Sequence, residues 1–288
     1  MIPGIFDYHR PATVEDAVAL LAKLGEDANI LAGGHSLIPL MKTRLASPDH
    51  LVDLSGIGNL KGITIKGAEI VIGAMTTQFE LITSDELARH IPIIAETSRL
   101  IADPQIRYKG TFGGNVANGD PGNDMPALMM CLDATYSVTG PDGSRDIPAR
   151  DFYQGAYFTS LEHGEILTAV RIPIPADGHG YAYEKLKRKV GDYATAAAAV
   201  VITMADGKCT SASVGLTNVS ETPLWASEAA SLLVGTSLDK ASVDAAVAAA
   251  EAITEPASDM RGPAEYRTKM AGVMVRRALE RALSRAKA

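Results

Sequence analysis

The stretch ILAGGHSLIPLMK, residues 30–42, sets a glycine pair, Gly33-Gly34, between an apolar run and a segment ready to start a helix, with Ser36 at the junction. Paired glycines let a backbone turn sharply and let another group approach it closely. The free N–H groups of such a turn attract an anion. Outward from this turn the chain reads as a parallel βαβ unit. TVEDAVALLAKLG (13–25) is an amphipathic helix capped by Thr13 and stopped by Gly25. NILAGG is a short buried strand, Ser36 caps a second helix through about Thr43 with Pro39 in its first turn, and HLVDLSG (50–56) is the next strand. Strand, turn, helix and strand in that order imply parallel pairing.

After Gly58 the pattern changes. GITIKGAEIVIGA alternates and turns at Lys66-Gly67, which predicts an antiparallel hairpin. Helices are expected over Thr77–Thr83 and Asp85–Ile101, then over a segment capped by Asp124 with Pro126 in its first turn. TYSVTGPDGSRDIPA is a hairpin and EILTAVRIPIP a strand closed by prolines. IPIPADGHG (172–180) is the linker candidate. Beyond it YAYEKLKRK, TAAAAVVITMADG and KCTSASVGLTNV form a meander turning at Asp206-Gly207, and helices near Leu224–Val234, Lys240–Ile253 and Ala264–Ala286 complete the chain.

The 288 residues, 47% apolar and 21% charged, belong to a globular protein large enough for two or three compact units. No apolar run is long enough for a transmembrane helix. The N-terminus MIPGIFDYHRPATVED has the features of neither a signal peptide nor a transit peptide, so the expected location is the cytoplasm. A net charge of −7 argues against nucleic acid as a partner; the basic cluster Arg276, Arg277, Arg281, Arg285 and Lys287 reads as a solvated helix face. Two cysteines and scattered histidines support neither a disulfide framework nor a metal site within this chain.

A second glycine pair, in TFGGN (111–115), repeats the format of AGGHS (32–36): Gly-Gly, then a polar residue, with a hydroxyl close by. One ligand with two anionic centres explains both. A pyrophosphate needs several donors, and two converging turns supply backbone N–H groups with the hydroxyls of Ser36 and Thr111 and the amide of Asn115. Neither pair is G-x-G-x-x-G, and no P-loop motif exists, so a Rossmann dehydrogenase and a P-loop NTPase lose ground. In NGDPGNDMPA (118–127), Asp120, Asn123 and Asp124 are open to a ribose hydroxyl, a cation or a helix N-terminus. His35 and Ser36 are sequence neighbours, a poor geometry for a nucleophile and its base, and no G-x-S-x-G occurs, so no catalytic residue is assigned. In YEKLKRKVGDYATAA, Lys185, Lys187 and Lys189 share one face of a strand, where one can meet an anionic cofactor while the others stay in water.

Taken together, AGGHSLIPLMK, IADPQIRYKGTFGGNVANGDPGNDMPAL and YEKLKRKVGDYATAAAAVV resemble the FAD-binding medium subunit of the molybdenum hydroxylase (xanthine dehydrogenase) family, over essentially the whole chain. GGHSLIPLMKTRLA and GNDMPALM are most similar to its carbon monoxide-oxidising branch. The resemblance implies an α+β fold: a vanillyl-alcohol-oxidase-type FAD-binding domain of two subdomains, a small parallel βαβ unit (1–56) and a mainly antiparallel sheet with helices (57–177), followed by a C-terminal antiparallel sheet with three helices (178–288). It implies FAD held by Ala32, Gly33, Gly34, His35 and Ser36 and by Thr111, Phe112, Gly113, Gly114 and Asn115. It places Asp124 at the polar portion of FAD, Leu167 and Lys185 near its flavin or adenine groups, and Phe112 as an apolar wall. Tyr193 is open between covering one face of the isoalloxazine and core packing.

The same resemblance implies an electron-transfer subunit. Substrate is oxidised at a molybdopterin centre in a large subunit, electrons pass through two [2Fe–2S] clusters in a small subunit, and the flavin hands them to an external acceptor such as a quinone. The assembly is a dimer of heterotrimers, a heterohexamer, in the cytoplasm or held through the complex at the inner face of the membrane. Two clusters need about eight thiolates, which a chain with two cysteines does not have. The rival readings are a self-sufficient FAD oxidase, which wants a catalytic base beside the flavin, the medium subunit of a related molybdenum hydroxylase with another substrate, and a non-enzymatic nucleotide-binding module.

Overall fold

The computed structural model describes residues 2–287. Around the opening turn, β1 (Asp7–His9), α1 (Val14–Leu24), β2 (Ala28–Leu31), α2 (Leu37–Lys42) and β3 (His50–Asp53) form a three-stranded sheet in the order β1-β3-β2, with both pairings parallel. Thr13 accepts from Asp16 N–H at 3.1 Å, and Gly25 ends α1 at φ +69°. The apolar face predicted for α1 is buried against β3, Leu54, Ile57 and Leu60. Strand β1 is absent from the sequence reading, because three residues, two of them exposed, carry no usable alternation.

The second sheet has the order β4-β5-β10-β6-β7, all antiparallel, from β4 (Ile63–Lys66), β5 (Glu69–Gly73), β6 (Thr135–Gly140), β7 (Gly143–Pro148) and β10 (Ile166–Pro173). A ribbon of β8 (Tyr153–Gly155) and β9 (Phe158–Thr159) precedes β10. Six helices sit between the hairpins: α3 (Gln78–Thr83), α4 (Asp85–His90), α5 (Pro92–Leu100), α6 (Pro104–Arg107), α7 (Phe112–Ala117) and α8 (Asp124–Cys131). The single helix expected over 85–101 is two, because Pro92 brings no N–H and α5 restarts with it in its first turn.

The C-terminal meander is β11 (Gly180–Leu186), β12 (Ala196–Ala205), β13 (Lys208–Thr217) and β14 (Leu224–Trp225), antiparallel in that order, covered by α9 (Ser227–Leu233), α10 (Lys240–Ala252) and α11 (Ala264–Arg285). Two expectations are corrected here. Leu224 and Trp225 pair with β13 as an edge strand, so α9 begins only at Ser227. Strand β11 stops at Leu186, so the three lysines do not lie along one strand; Lys187 Nζ nevertheless reaches Leu100 O at 3.5 Å, the carbonyl that Lys185 also meets.

This last sheet is buried on both sides, which explains its alanine content. Ala197 and Ala199 of β12 join Tyr183 in a core shared with α5 and α8, while Ala196, Ala198, Val200 and Ile202 face α9, α10 and α11. The basic end of α11 is tied down in part. Arg285 meets Glu96 of α5 at 2.8 Å and Arg281 meets Glu184 of β11 at 2.7 Å, where a solvated face was expected.

Candidate functional site

A cavity of about 650 Å³ lies where the three parts meet, lined by the 32–37 turn, α7, the loops after α5 and before β10, Lys185 and residues 191–193. Its first wall is the turn that opened the sequence. Gly34 stands at φ +75°, a conformation that suits glycine, and a β-carbon on Gly33 would lie 2.5 Å from Lys109 O and 2.8 Å from Gly110 Cα. The two glycine motifs therefore touch: the first turn packs against the backbone that leads into the second. Among the described residues no acceptor meets the N–H groups of Gly33, Gly34, His35 and Ser36. Ser36 occupies the cap position of α2 with its side chain making no capping bond, so the hydroxyl expected to cap the helix is left for the cleft. Burial lowers the His35 pKa, against a smaller opposing pull from Asp103, and keeps the ring neutral at pH 7.

The second motif works differently from the expectation. TFGGN is the first turn of α7, with Thr111 as its cap, and the N–H groups of its last four residues are in use. Phe112 donates to Thr76 O at 2.7 Å, Gly113 to Ala74 O at 2.8 Å, Gly114 to Thr111 Oγ1 at 3.1 Å and Asn115 to Thr111 O at 3.1 Å. What this wall offers is side chains. The Thr111 hydroxyl accepts from Gly114 and still has its proton to give, and Asn115, whose Oδ1 accepts from Met125 N–H at 3.2 Å, keeps its amide N–H groups. Gly113 and Gly114 are there for packing: a β-carbon on Gly113 would fall 2.5 Å from Ala74 Cβ. The Phe112 side chain is fully buried in the core and does not line the cavity, so the apolar wall expected of it is not in the cleft. Every other residue assigned to FAD lines it, whereas Asp120, also a candidate, lies outside it and accepts from Gly122 N–H and Tyr157 OH.

Asp124 is not the cap of α8; Asn123 holds that position and Asp124 is the first helical residue. Its carboxylate is buried, accepting from Tyr183 OH at 2.7 Å and from Lys185 Nζ at 2.7 Å, and Tyr183 OH also sits 3.2 Å from Thr217 Oγ1. Lys185 Nζ donates again to Leu100 O at 3.4 Å. Burial and the Asp124 charge hold the Tyr183 phenol far above its ordinary pKa, so it remains a donor. This chain links α8 of one sheet layer to β11 and β13 of the other. Tyr193 follows Gly191 and Asp192 at the cleft mouth, 41% exposed, its ring beside Gly122. Leu167 enters from β10, 5% exposed.

Several lining residues escaped the sequence reading: Gln78 at the start of α3, Ile101 and Ala102, and the loop Leu161–Glu165. Ala102 stands at φ +45°, with the Arg107 guanidinium donating to Ile101 O at 2.7 Å. Ile101 and Ala102 open one of the stretches that carry the family resemblance, and no local motif marks the others. The cavity holds no nucleophile paired with a base, and among the described residues no group of three metal-ligating side chains exists. Cys131 is buried outside the cavity, and burial pushes its thiol up to about 12.

A cleft that offers unpaired backbone N–H groups, hydroxyl and amide donors and only one lysine, all between two glycine motifs, suits an elongated anionic dinucleotide. The profile of the FAD-binding domain in molybdopterin dehydrogenase matches residues 4–175. The chain belongs to this family. That of the CO dehydrogenase flavoprotein C-terminal domain matches residues 181–282 of this FAD subunit. The carbon monoxide dehydrogenase medium chain of Afipia carboxidovorans is 73% identical over 287 residues, covering all of both chains, and that of Hydrogenophaga pseudoflava is 50% identical over 99% of each. A crystal structure of the Cu,Mo-CO dehydrogenase superposes at a TM-score of 0.99, 73% identical over 99% of this chain and 100% of that one. Quinoline 2-oxidoreductase from Pseudomonas putida gives 0.94 at 36% identity over 99% of each. The chain is thus an FAD-binding oxidoreductase subunit, and no helix among its described residues is long and apolar enough to cross a membrane.

Proposed function

We propose that this chain is the flavin subunit of a carbon monoxide dehydrogenase, in which CO and water become CO₂, two protons and two electrons at a molybdenum centre in a large subunit. The electrons cross [2Fe–2S] clusters of a small subunit to FAD here, and leave for an external acceptor such as a quinone. The supporting observation for the substrate is the gradient of similarity: 73% and 50% identity to carbon monoxide dehydrogenase medium chains, against 35% to the nicotine 6-hydroxylase medium subunit of Paenarthrobacter nicotinovorans. The assembly is read as a dimer of heterotrimers, with the domain division at 1–56, 57–177 and 178–288.

Bound FAD supplies a centre that takes up electrons singly or in pairs and releases them to a different partner. In this reading the residues of the chain bind and shield it. The N–H groups of Gly33, Gly34, His35 and Ser36 donate to the pyrophosphate, with the Ser36 and Thr111 hydroxyls and the Asn115 amide completing its shell. Gly33 lets the first turn close on the backbone before the second motif, Ala32 and Gly114 lie in ordinary contact across the two walls, Gly113 seats α7 on Ala74, and Phe112 acts from behind, fixing α7 in the core. His35 positions the cofactor. Lys185, neutralised by Asp124, keeps one ammonium proton for the cofactor, Leu167 gives an apolar contact, and Tyr193 covers the mouth.

Purification of the complex from its host with cofactor analysis of each chain tests this. FAD resides in this chain, iron and molybdenum only in co-eluting chains, and CO reduces the flavin. A yellow chain that purifies alone and oxidises an alcohol by itself would overturn the electron-transfer reading.

A further inference from the structure

The structure assigns a further cofactor-binding residue: we infer that the side-chain amide of Gln78, buried in the cleft wall without a partner, donates a hydrogen bond to FAD. Gln78 is 2% exposed and lines the cavity. Its backbone is fixed, since its N–H donates to Gly110 O at 2.9 Å, directly before the second glycine motif. Its Oε1 is fixed too, accepting from Ser98 Oγ of α5 at 3.0 Å. With both anchored, Nε2 points to no acceptor among the described residues.

A buried amide nitrogen without a partner is costly, about 1–3 kcal/mol, and folded proteins keep very few of them. Among the described residues three other buried side-chain atoms share this state, Thr97 Oγ1, His179 Nε2 and Arg261 Nε, and none belongs to a residue that lines the cleft. Of these four buried atoms, only Gln78 Nε2 belongs to the cavity wall. FAD is rich in acceptors along its length, in its phosphates, ribityl hydroxyls, flavin carbonyls and ring nitrogens, so the cofactor that fills the cleft supplies what the fold leaves out. The inference rests on FAD occupying this cleft. It adds a role for the segment after Thr77, which no motif in the sequence marks.

The test exploits opposite signs in two measurements. Gln78→Met keeps the volume and removes the unpaired donor. In the assembled complex, stripped of FAD and titrated back with flavin fluorescence as readout, the Kd for FAD rises about five- to tenfold. The thermal midpoint of the FAD-free full chain is unchanged or higher, because an unpaired buried group is gone. A second variant, Gln78→Glu, retains an acceptor for Ser98 and replaces the donor by an acceptor, and it binds FAD more weakly than Gln78→Met at pH 7. An unchanged Kd in both variants overturns the inference. So does a Kd that weakens only in step with a lower thermal midpoint of the FAD-free chain, which is the mark of a structural role. Failure of the wild-type complex to take FAD back would instead count against the cleft as the cofactor site.

Discussion

At the scale of single residues, the glycines of the two motifs serve different ends, and this ranks their substitutions. A methyl on Gly33 meets backbone atoms, Lys109 O at 2.5 Å and Gly110 Cα at 2.8 Å, neither of which can swing aside. A methyl on Gly113 meets Ala74 in the same way, at 2.5 Å from Cβ and 2.8 Å from Cα. A methyl on Gly114 meets only the Thr111 hydroxyl, at 2.7 Å, with Ala32 Cβ at an ordinary 3.7 Å. Gly33→Ala is therefore expected to abolish FAD retention by parting the two walls, while thermal stability falls modestly. Gly113→Ala should destabilise the fold by about 1–3 kcal/mol through overpacking, and Gly114→Ala should keep most of its FAD. Flavin content per chain beside thermal unfolding separates the three, and equal flavin loss in Gly33→Ala and Gly114→Ala would contradict the ranking. That both motifs frame one cleft was legible from their shared format. That one gives N–H groups and the other side chains was not, because the use of an N–H depends on carbonyls of Ala74 and Thr76, far from the motif in the sequence.

At the scale of elements, the parallel sheet that carries the first turn is held at its end by one buried carboxylate. Asp53, 8% exposed at the end of β3, accepts from Ser55 N–H at 2.8 Å, from Ser55 Oγ at 2.8 Å and from Tyr8 OH of β1. Burial alone would raise its pKa, but the bonds from Tyr8 and Ser55 outweigh burial and hold it below the ordinary carboxylate value. The folded group thus binds its proton less tightly than the unfolded one. Its contribution is full above the unfolded value of about 3.9 and is lost as pH falls through the lower folded value. Asp53→Asn is expected to cost about 1–2 kcal/mol at pH 7, from weaker hydrogen bonds. It should also flatten the acid limb of stability below about pH 4, read by urea unfolding at a series of pH values. An unaltered acid limb would remove Asp53 from this role. Strand β1 also shows where the sequence falls silent: a three-residue edge strand is defined by its pairing with His50–Val52 and by this tyrosine, not by periodicity. By contrast α1, the hairpins and the meander each had a cap, a glycine turn or an alternation to announce them.

At the scale of the whole molecule, the linker near residue 177 joins two parts that share one core. Tyr183, Ala194, Ala197 and Ala199 of the C-terminal part pack with Ile94, Met125 and Leu128 of α5 and α8, and Gly215 of β13 lies so close to Ala127 O that a β-carbon there would strike it. Polar bonds cross the same seam: Asp124 to Tyr183 and Lys185, Glu96 to Tyr183 N–H at 2.9 Å and to Arg285. A chain ending at residue 177 would expose that apolar face. It would also strip Asp124 of its partners Tyr183 and Lys185 and remove Lys185 and Tyr193 from the cleft. The full chain is accordingly expected to unfold in one cooperative transition, whereas the 1–177 fragment, with its parallel and antiparallel sheets nominally complete, should be expressed insoluble or show no cooperative melting and bind no FAD. Differential scanning calorimetry of the full chain, and circular dichroism with flavin titration of the fragment, check both halves. A fragment that melts sharply and binds FAD as the full chain does would show that the C-terminal sheet only decorates the cofactor domain. Two resolved transitions in the full chain would show that the shared core does not couple the parts. The seam gives a physical reason to expect neither, since a sheet whose alanines face helices on both sides has no surface on which it could be left alone.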